Sequence, residues 1–138
     1  MNGSFVIKAT DTGWAGVDER RYKDGTGPFL GVVRHTLLGG RGAQPDLAFE
    51  VRYFEVAPGG YSSLEHHAHP HAVMVVRGHG RVRLGDRVEL IGPLDVVYVA
   101  GHDVHRFEAH DEEPLGFVCV VDRERDRPVP VDEGADGP

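Results

Sequence analysis

The sequence predicts an all-β domain, built as a sandwich or closed barrel of short antiparallel strands. Three observations predict it. Valine is the commonest residue, and β-branched side chains suit a half-buried pleated surface. The 138 residues include 19 glycines and nine prolines, enough turn chemistry for frequent corners. Several stretches alternate apolar and polar side chains with period two, and none carries a sustained, capped stripe of period 3.6. A mass of 15.1 kDa corresponds to one domain with a core of its own.

Taken in order, Met1 to Ser4 reads as a frayed end and Phe5 to Ala9 as a first strand. Asp11 to Pro28 is rich in glycine and charge and reads as an arm whose Trp14 and Tyr22 cover an edge or a second subunit. Phe29 to Leu38 is strand-like and ends at Gly39-Gly40-Arg41-Gly42. Leu47, Phe49, Val51 and Tyr53 share one face of the next strand. Phe54 and Val56 break that phase, which predicts a bulge, and Pro58-Gly59-Gly60 predicts a hard turn. Further strands are expected over Leu64–Arg77, Arg81–Leu84, Arg87–Ile91, Leu94–Val99, His105–Ala109 and Leu115–Val121. Gly85-Asp86 joins two of them as a tight hairpin. The total expected is about eight to ten strands. The Asp122 to Arg127 run is charged and alternating in sign, and from Asp126 onward the chain is expected as a mobile tail.

The net charge of −7 removes the basic footprint that a nucleic-acid partner requires. No apolar run approaches the ~18 residues needed to span a bilayer. The first ten residues lack a basic region followed by an apolar one, so no signal peptide is expected, and the single Cys119 cannot form an internal disulfide. The cytoplasm is the expected compartment. Cys119 sits in an apolar strand and is expected as a small buried hydrophobe.

Histidine carries the chemistry. Of nine histidines, His66, His67, His69 and His71 lie within six residues. On an extended strand Glu65, His67, His69 and His71 share a face and His66 points away. Neutral imidazole is a common transition-metal ligand, and a neighbouring carboxylate adds charge to a site. Three successive same-face residues span ~13 Å, so His67, His69 and His71 bind one ion together only where the strand bulges. His105, after a short turn and before Phe107, is the candidate ligand from elsewhere; His102 and His110 are expected outside the site, and His35 and His79 as ordinary surface or strand residues.

The spacing resembles that of a single-domain cupin. The family's first motif is Gly, five residues, His-x-His, three or four residues, Glu, six residues, Gly. Here Gly59 precedes Glu65-His66-His67 by five residues, His71 follows after three, and Gly78 after six more. The spacing is kept while Glu and His exchange places. The second motif survives by identity only at His105. The resemblance covers Phe49 to Val121 and extends to Arg52-Tyr53-Phe54-Glu55-Val56-Ala57-Pro58-Gly59-Gly60. It implies an antiparallel jelly-roll β-barrel, placed over 29–121; the composition outside it reads as an N-terminal arm over 1–28 and a charged, flexible tail over 122–138. It further implies one divalent transition metal per chain (Fe, Mn, Ni, Co or Zn), held by Glu65, His67, His71 and His105, with His69 as a further candidate.

Such a centre implies a metal-dependent enzyme on a small organic substrate, with a dioxygenase as the most concrete version. A metal-assisted isomerase or cyclase, or a non-catalytic module binding metal and a small ligand, are the alternatives. Arg52 faces away from the apolar set of its strand and suits an anionic substrate; with Tyr61 and Tyr98 it completes the candidate substrate-binding residues. A homodimer is expected from the behaviour of small cupins.

Overall fold

The computed structural model describes residues 3–22, 28–42 and 44–132. Expectations for residues 1–2, 23–27, 43 and 133–138 lie outside the described residues. Eleven strands are described: β1 (Arg20–Arg21), β2 (Leu30–Leu38), β3 (Phe49–Tyr61), β4 (Glu65–His66), β5 (His71–Gly78), β6 (Gly80–Leu84), β7 (Arg87–Ile91), β8 (Val96–Val99), β9 (His105–Ala109), β10 (Leu115–Asp122) and β11 (Val129–Pro130). All pairings are antiparallel. The main path runs β11-β4-β9-β3-β10-β5-β8, with β2 added on β3 and the β6–β7 hairpin added on β9. The result is a curled jelly-roll barrel. Among the described residues no helix is long and apolar enough to cross a membrane.

The core lines the inside of the curl. Val56, Val75, Val99 and Leu115 are wholly buried, and the Phe117 ring stacks on those of Phe54 and Phe107, at centroid distances of 5.5 and 4.5 Å. Each such aliphatic side chain contributes roughly 1.5–3 kcal/mol on leaving water. The alternation of β10 shows the physical pattern directly: Leu115, Phe117, Cys119 and Val121 point inward and are buried, while Val120 faces out. The expected hairpin is present, with Leu84 opposite Arg87 and Gly85 at φ 65°.

Several expectations are corrected. Phe5 to Ala9 forms no strand; only an isolated bridge joins Ala9 to Trp14. Leu64 to Arg77 is not one strand, because the chain leaves β4 after His66 and re-enters β5 at His71. Pro58-Gly59-Gly60 does not end a strand, since β3 continues to Tyr61, where it pairs with Leu30 and Glu108. No bulge interrupts β3 at Phe54 against β10; the register is one-to-one from Phe49 to Val56. The apparent phase shift has another cause. Arg52 and Phe54 face the barrel interior, while Tyr53 faces outward and is buried beneath Trp14, whose ring lies 4.9 Å away. Both faces of the strand are therefore covered at this point. His35 is a strand residue of β2, one of the two expected places for it, and is buried under the same Trp14 ring, at 5.5 Å. Tyr22 enters the core against Phe29 and Phe54.

Part of the segment read as a tail lies on the barrel. Val129 and Pro130 pair with His66 and Glu65, and Arg125 binds Glu50 at 3.0 Å. The charge run supplies these contacts, so its ionic side chains act as clasps rather than as a solvated stretch.

Candidate metal centre

Three elements bring the histidines together. The β4–β9 pairing sets Glu65 directly opposite His105. β5 begins at His71, and the break between β4 and β5 turns His67 back toward it. The chain thereby escapes the spacing of a straight strand: His67 Nε2 and His71 Nε2 lie 2.9 Å apart. The His105 ring lies 4.8 Å from that of His67 and 5.3 Å from that of His71. Two groups of donor atoms fall within 4.8 Å of one another, one formed by Glu65, His67 and His105 and the other by His67, His69 and His71. His67 is common to both.

The neighbours of these rings suit a metal. The Nδ1 of His67 lies 2.6 Å from the carbonyl of His69, and the Nδ1 of His105 lies 2.8 Å from that of Asp103. A carbonyl can only accept, so both rings carry their proton on Nδ1 and present Nε2 as the acceptor nitrogen, the form that ligates a metal. Burial, reinforced by the adjacent His69 and His105, pushes His67 down to about 4, and burial likewise lowers His71 and His69. Neutral imidazole is the form that binds a metal. Ser63 donates to Glu65 Oε2 at 2.8 Å, and the Tyr22 hydroxyl lies 3.2 Å from Ser63 Oγ, so the carboxylate is oriented from behind. The chemistry of these donors fits a divalent transition metal, which either group, Glu65 with His67 and His105 or His67 with His69 and His71, could hold.

His69 is differently engaged. Its ring stacks on that of His67 at 3.7 Å, and its Nδ1 lies 2.9 Å from Asp126 Oδ1. Asp126 also accepts from the backbone N–H of Ala68 at 2.8 Å and of His69 at 3.1 Å. Those hydrogen bonds, Ala68 foremost, hold its carboxyl well below the usual range. The Asp126→Ala protein is expected to exchange the Ala68 and His69 amide hydrogens faster, read by NMR, with Val75 in the core unchanged. Unaltered exchange at both amides would dismiss Asp126 as the clasp of this loop.

The cluster opens into a cavity of about 580 Å³. Arg21, Arg34, Arg52, Arg125 and Arg127 line it, with Glu65 the one carboxylate among the lining residues. In a chain of net charge −7 this is a segregated positive field. Of the candidate substrate-binding residues, Arg52 lines the cavity and is buried. Tyr98 does not: Val97 and Val99 point inward, so Tyr98 points outward and is 67% exposed. Tyr61 also stands outside the lining, beneath the Arg106 guanidinium at 4.7 Å. His102 and His110 are exposed and outside the donor groups.

Sequence reasoning missed three features. Cys119 faces the site, with Sγ 3.0 Å from His71 Nδ1 and 3.6 Å from Arg52 Nη2. Its parity with Phe117 and Val121 carries that signal. The inward turn of Arg34, two residues from Val32, was legible in the same way. Nothing local marks Asp126, which reaches Ala68 and His69 only through the folded chain.

The cupin domain family matches this chain over residues 52–121. The 1-methylthio-D-xylulose 5-phosphate methylsulfurylase of Rhodospirillum rubrum is 46% identical over 116 residues, covering 83% of this chain and 72% of that protein. Among solved structures, a cupin-2 domain protein from Rhodospirillum rubrum aligns with a TM-score of 0.79 and 42% identity, over 94% of this chain and 85% of its own. A cupin 2 conserved barrel domain protein from Rhodopseudomonas palustris gives a TM-score of 0.80 and 42% identity, over 94% and 88%.

Proposed function

This chain belongs to the cupin family, and from that premise we propose that it is a metal-dependent enzyme that transfers the methylthio group of a small sugar phosphate to a thiol, an S–S bond to the thiol sulfur forming as the C–S bond breaks and the carbon taking up the proton that the thiol releases. The observation that carries the reading is the composition of one cavity. Metal-donor side chains and five arginines line the same cavity. A small anion able to reach the donors matches that lining. The similarity to a protein named for 1-methylthio-D-xylulose 5-phosphate supports the choice of substrate class. The reading takes the place of the dioxygenase expectation because the similarity to a sugar-phosphate enzyme favours it.

In this reading Glu65, His67, His71 and His105 hold the metal, and His69 packs behind His67. A bound divalent ion supplies Lewis acidity, polarising a carbonyl or hydroxyl oxygen of the substrate. The protein does the rest. The carbonyls of His69 and Asp103 fix the ring protons of His67 and His105 on Nδ1. Cys119 fixes the orientation of the His71 ring through its contact with Nδ1. The arginines draw in and orient the anionic end. Phe54, Phe107 and Phe117 form an apolar floor that excludes water and suits a thioether, since sulfur packs favourably on aromatic rings.

The test is turnover. Protein reconstituted with each divalent transition metal is given 1-methylthio-D-xylulose 5-phosphate, with and without an added thiol as sulfur acceptor. Phosphorus NMR follows the ester and mass spectrometry follows the methylthio product. Loss of the methylthio group by the metal-loaded protein, abolished by chelation, is expected. No conversion by protein carrying a full equivalent of any of these metals would overturn the reading.

A further inference from the structure

We propose that Arg34 and Arg52 together form the seat for the phosphate group of the substrate, on the cavity wall made by β2 and β3. The proposal rests on the reading above for the identity of the cavity, but binding alone tests it.

The register places the two side chains. Arg34 stands opposite Phe54, and Thr36 stands opposite Arg52, so Arg34 and Arg52 are diagonal neighbours on the face that lines the cavity. Diagonal partners on adjacent strands lie within reach of long side chains. Arg52 is only 7% exposed. Its Nε is buried with no hydrogen-bond partner, and the Nε of Arg34 is likewise buried and unpartnered. Among the described residues neither guanidinium is paired with a carboxylate. Glu50, whose charge reaches Arg34, is occupied by Arg125 at 3.0 and 3.5 Å.

Two mutually repelling cations, Arg52 buried and Arg34 half-buried, with neither guanidinium hydrogen-bonded to a carboxylate, are costly. Burial and the Arg52 charge both press Arg34 below its usual value. A fold that keeps such a pair gains from it when an anion arrives. The Nε and Nη groups of a guanidinium form a planar fork that takes two oxygens of one phosphate, and two forks match a dianion in charge. Arg52 is further held in place by the Phe54 ring, 5.0 Å beneath its Cζ. The phosphate end of the substrate would thus rest on the β2–β3 wall, and the remainder would extend past Cys119, which touches both Arg52 and His71, toward the histidines.

Calorimetric titration of the metal-loaded protein tests this, with D-xylulose 5-phosphate, inorganic phosphate and unphosphorylated D-xylulose as probes. The parent is expected to bind both phosphates and to bind D-xylulose far more weakly; tighter binding of the ester than of inorganic phosphate identifies a sugar phosphate, and equal binding a seat for phosphate alone. Arg34→Gln and Arg52→Gln should each weaken the ester by at least about tenfold, as expected for loss of charged hydrogen bonds. Arg34→Lys and Arg52→Lys, which keep the charge without the fork, should also lose most of the affinity. Metal content should stay at the parent level, since neither residue is a donor. Melting in phosphate-free buffer provides the folding control: the parent should gain stability on adding phosphate and the glutamine variants should not. Undiminished ester affinity in both glutamine variants, lysine variants equal to the parent, or equal binding of D-xylulose and its phosphate would each overturn the seat. Failure of methylthio release with these binding losses intact would overturn the proposed reaction and leave the seat standing.

Discussion

The His67→Ala and His105→Ala proteins are expected to purify without tightly bound metal, where the parent carries about one divalent ion per chain. His67 belongs to both donor groups, so its loss leaves no complete set in either. His105 comes from β9, whose pairing with β4 sets it opposite Glu65, and its loss breaks the group of Glu65, His67 and His105. Loss of an outer hydrogen-bond partner costs metal affinity roughly 10–100-fold, and loss of a ligand costs more. His66→Ala is the control, because His66 pairs with β11 and stands outside the donor groups. Plasma mass spectrometry after chelator-free purification reads the result, with circular dichroism to confirm the fold. Metal retained by His67→Ala, or a parent that takes up none on reconstitution, would remove the metal centre and the proposed chemistry with it.

Gly78→Ala is expected to produce the largest loss of stability. Gly78 has φ 69°, and a Cβ there would lie 1.7 Å from the carbonyl oxygen of Pro114. The obstacle is backbone at the start of β10, where Gly78 pairs with Leu115, so no side chain can swing aside. Gly85 is the comparison: it has φ 65°, but a Cβ there meets nothing within 4 Å. Gly85→Ala should cost only the left-handed strain, about 1–2 kcal/mol. Gly78→Ala adds the clash and should cost more than about 4 kcal/mol, a large share of the ~5–15 kcal/mol that holds a domain together. With a slope of roughly 1–3 kcal/mol per molar in urea, the midpoint should fall by more than about 1 M. Equal midpoints for the two variants would show that β10 yields without cost. The final glycine of the first motif therefore has a mechanical reason for its identity.

The residues that converge on the metal site were legible as chemistry before they were legible as geometry. Four histidines in six residues, a glutamate beside them and a later His105 announce a ligand set. Straight-strand spacing argued against the joint use of His67 and His71. The break between β4 and β5 resolves it, because a chain that leaves the pleat is no longer bound by the strand rise. The placement of Tyr98 and Tyr61 failed for a different reason. An exposed aromatic and a cavity-lining one look alike until the inward phase of the strand is known.

By itself the sequence determined the β class, the hairpin at Gly85-Asp86 and the kind of donor available. These follow from local rules, since period two and turn chemistry depend on neighbouring residues. Only the tertiary structure decided which face of β3 is inside, and hence that Arg52 lines the cavity while Tyr53 is buried outside beneath Trp14. It alone joined Asp126 to Ala68 and His69, Glu65 to His105, and Cys119 to His71. Alternation divides a strand into two faces without saying which one the barrel encloses. That choice is made by closure of the sheet, which brings together residues whose separation along the chain carries no record of their meeting.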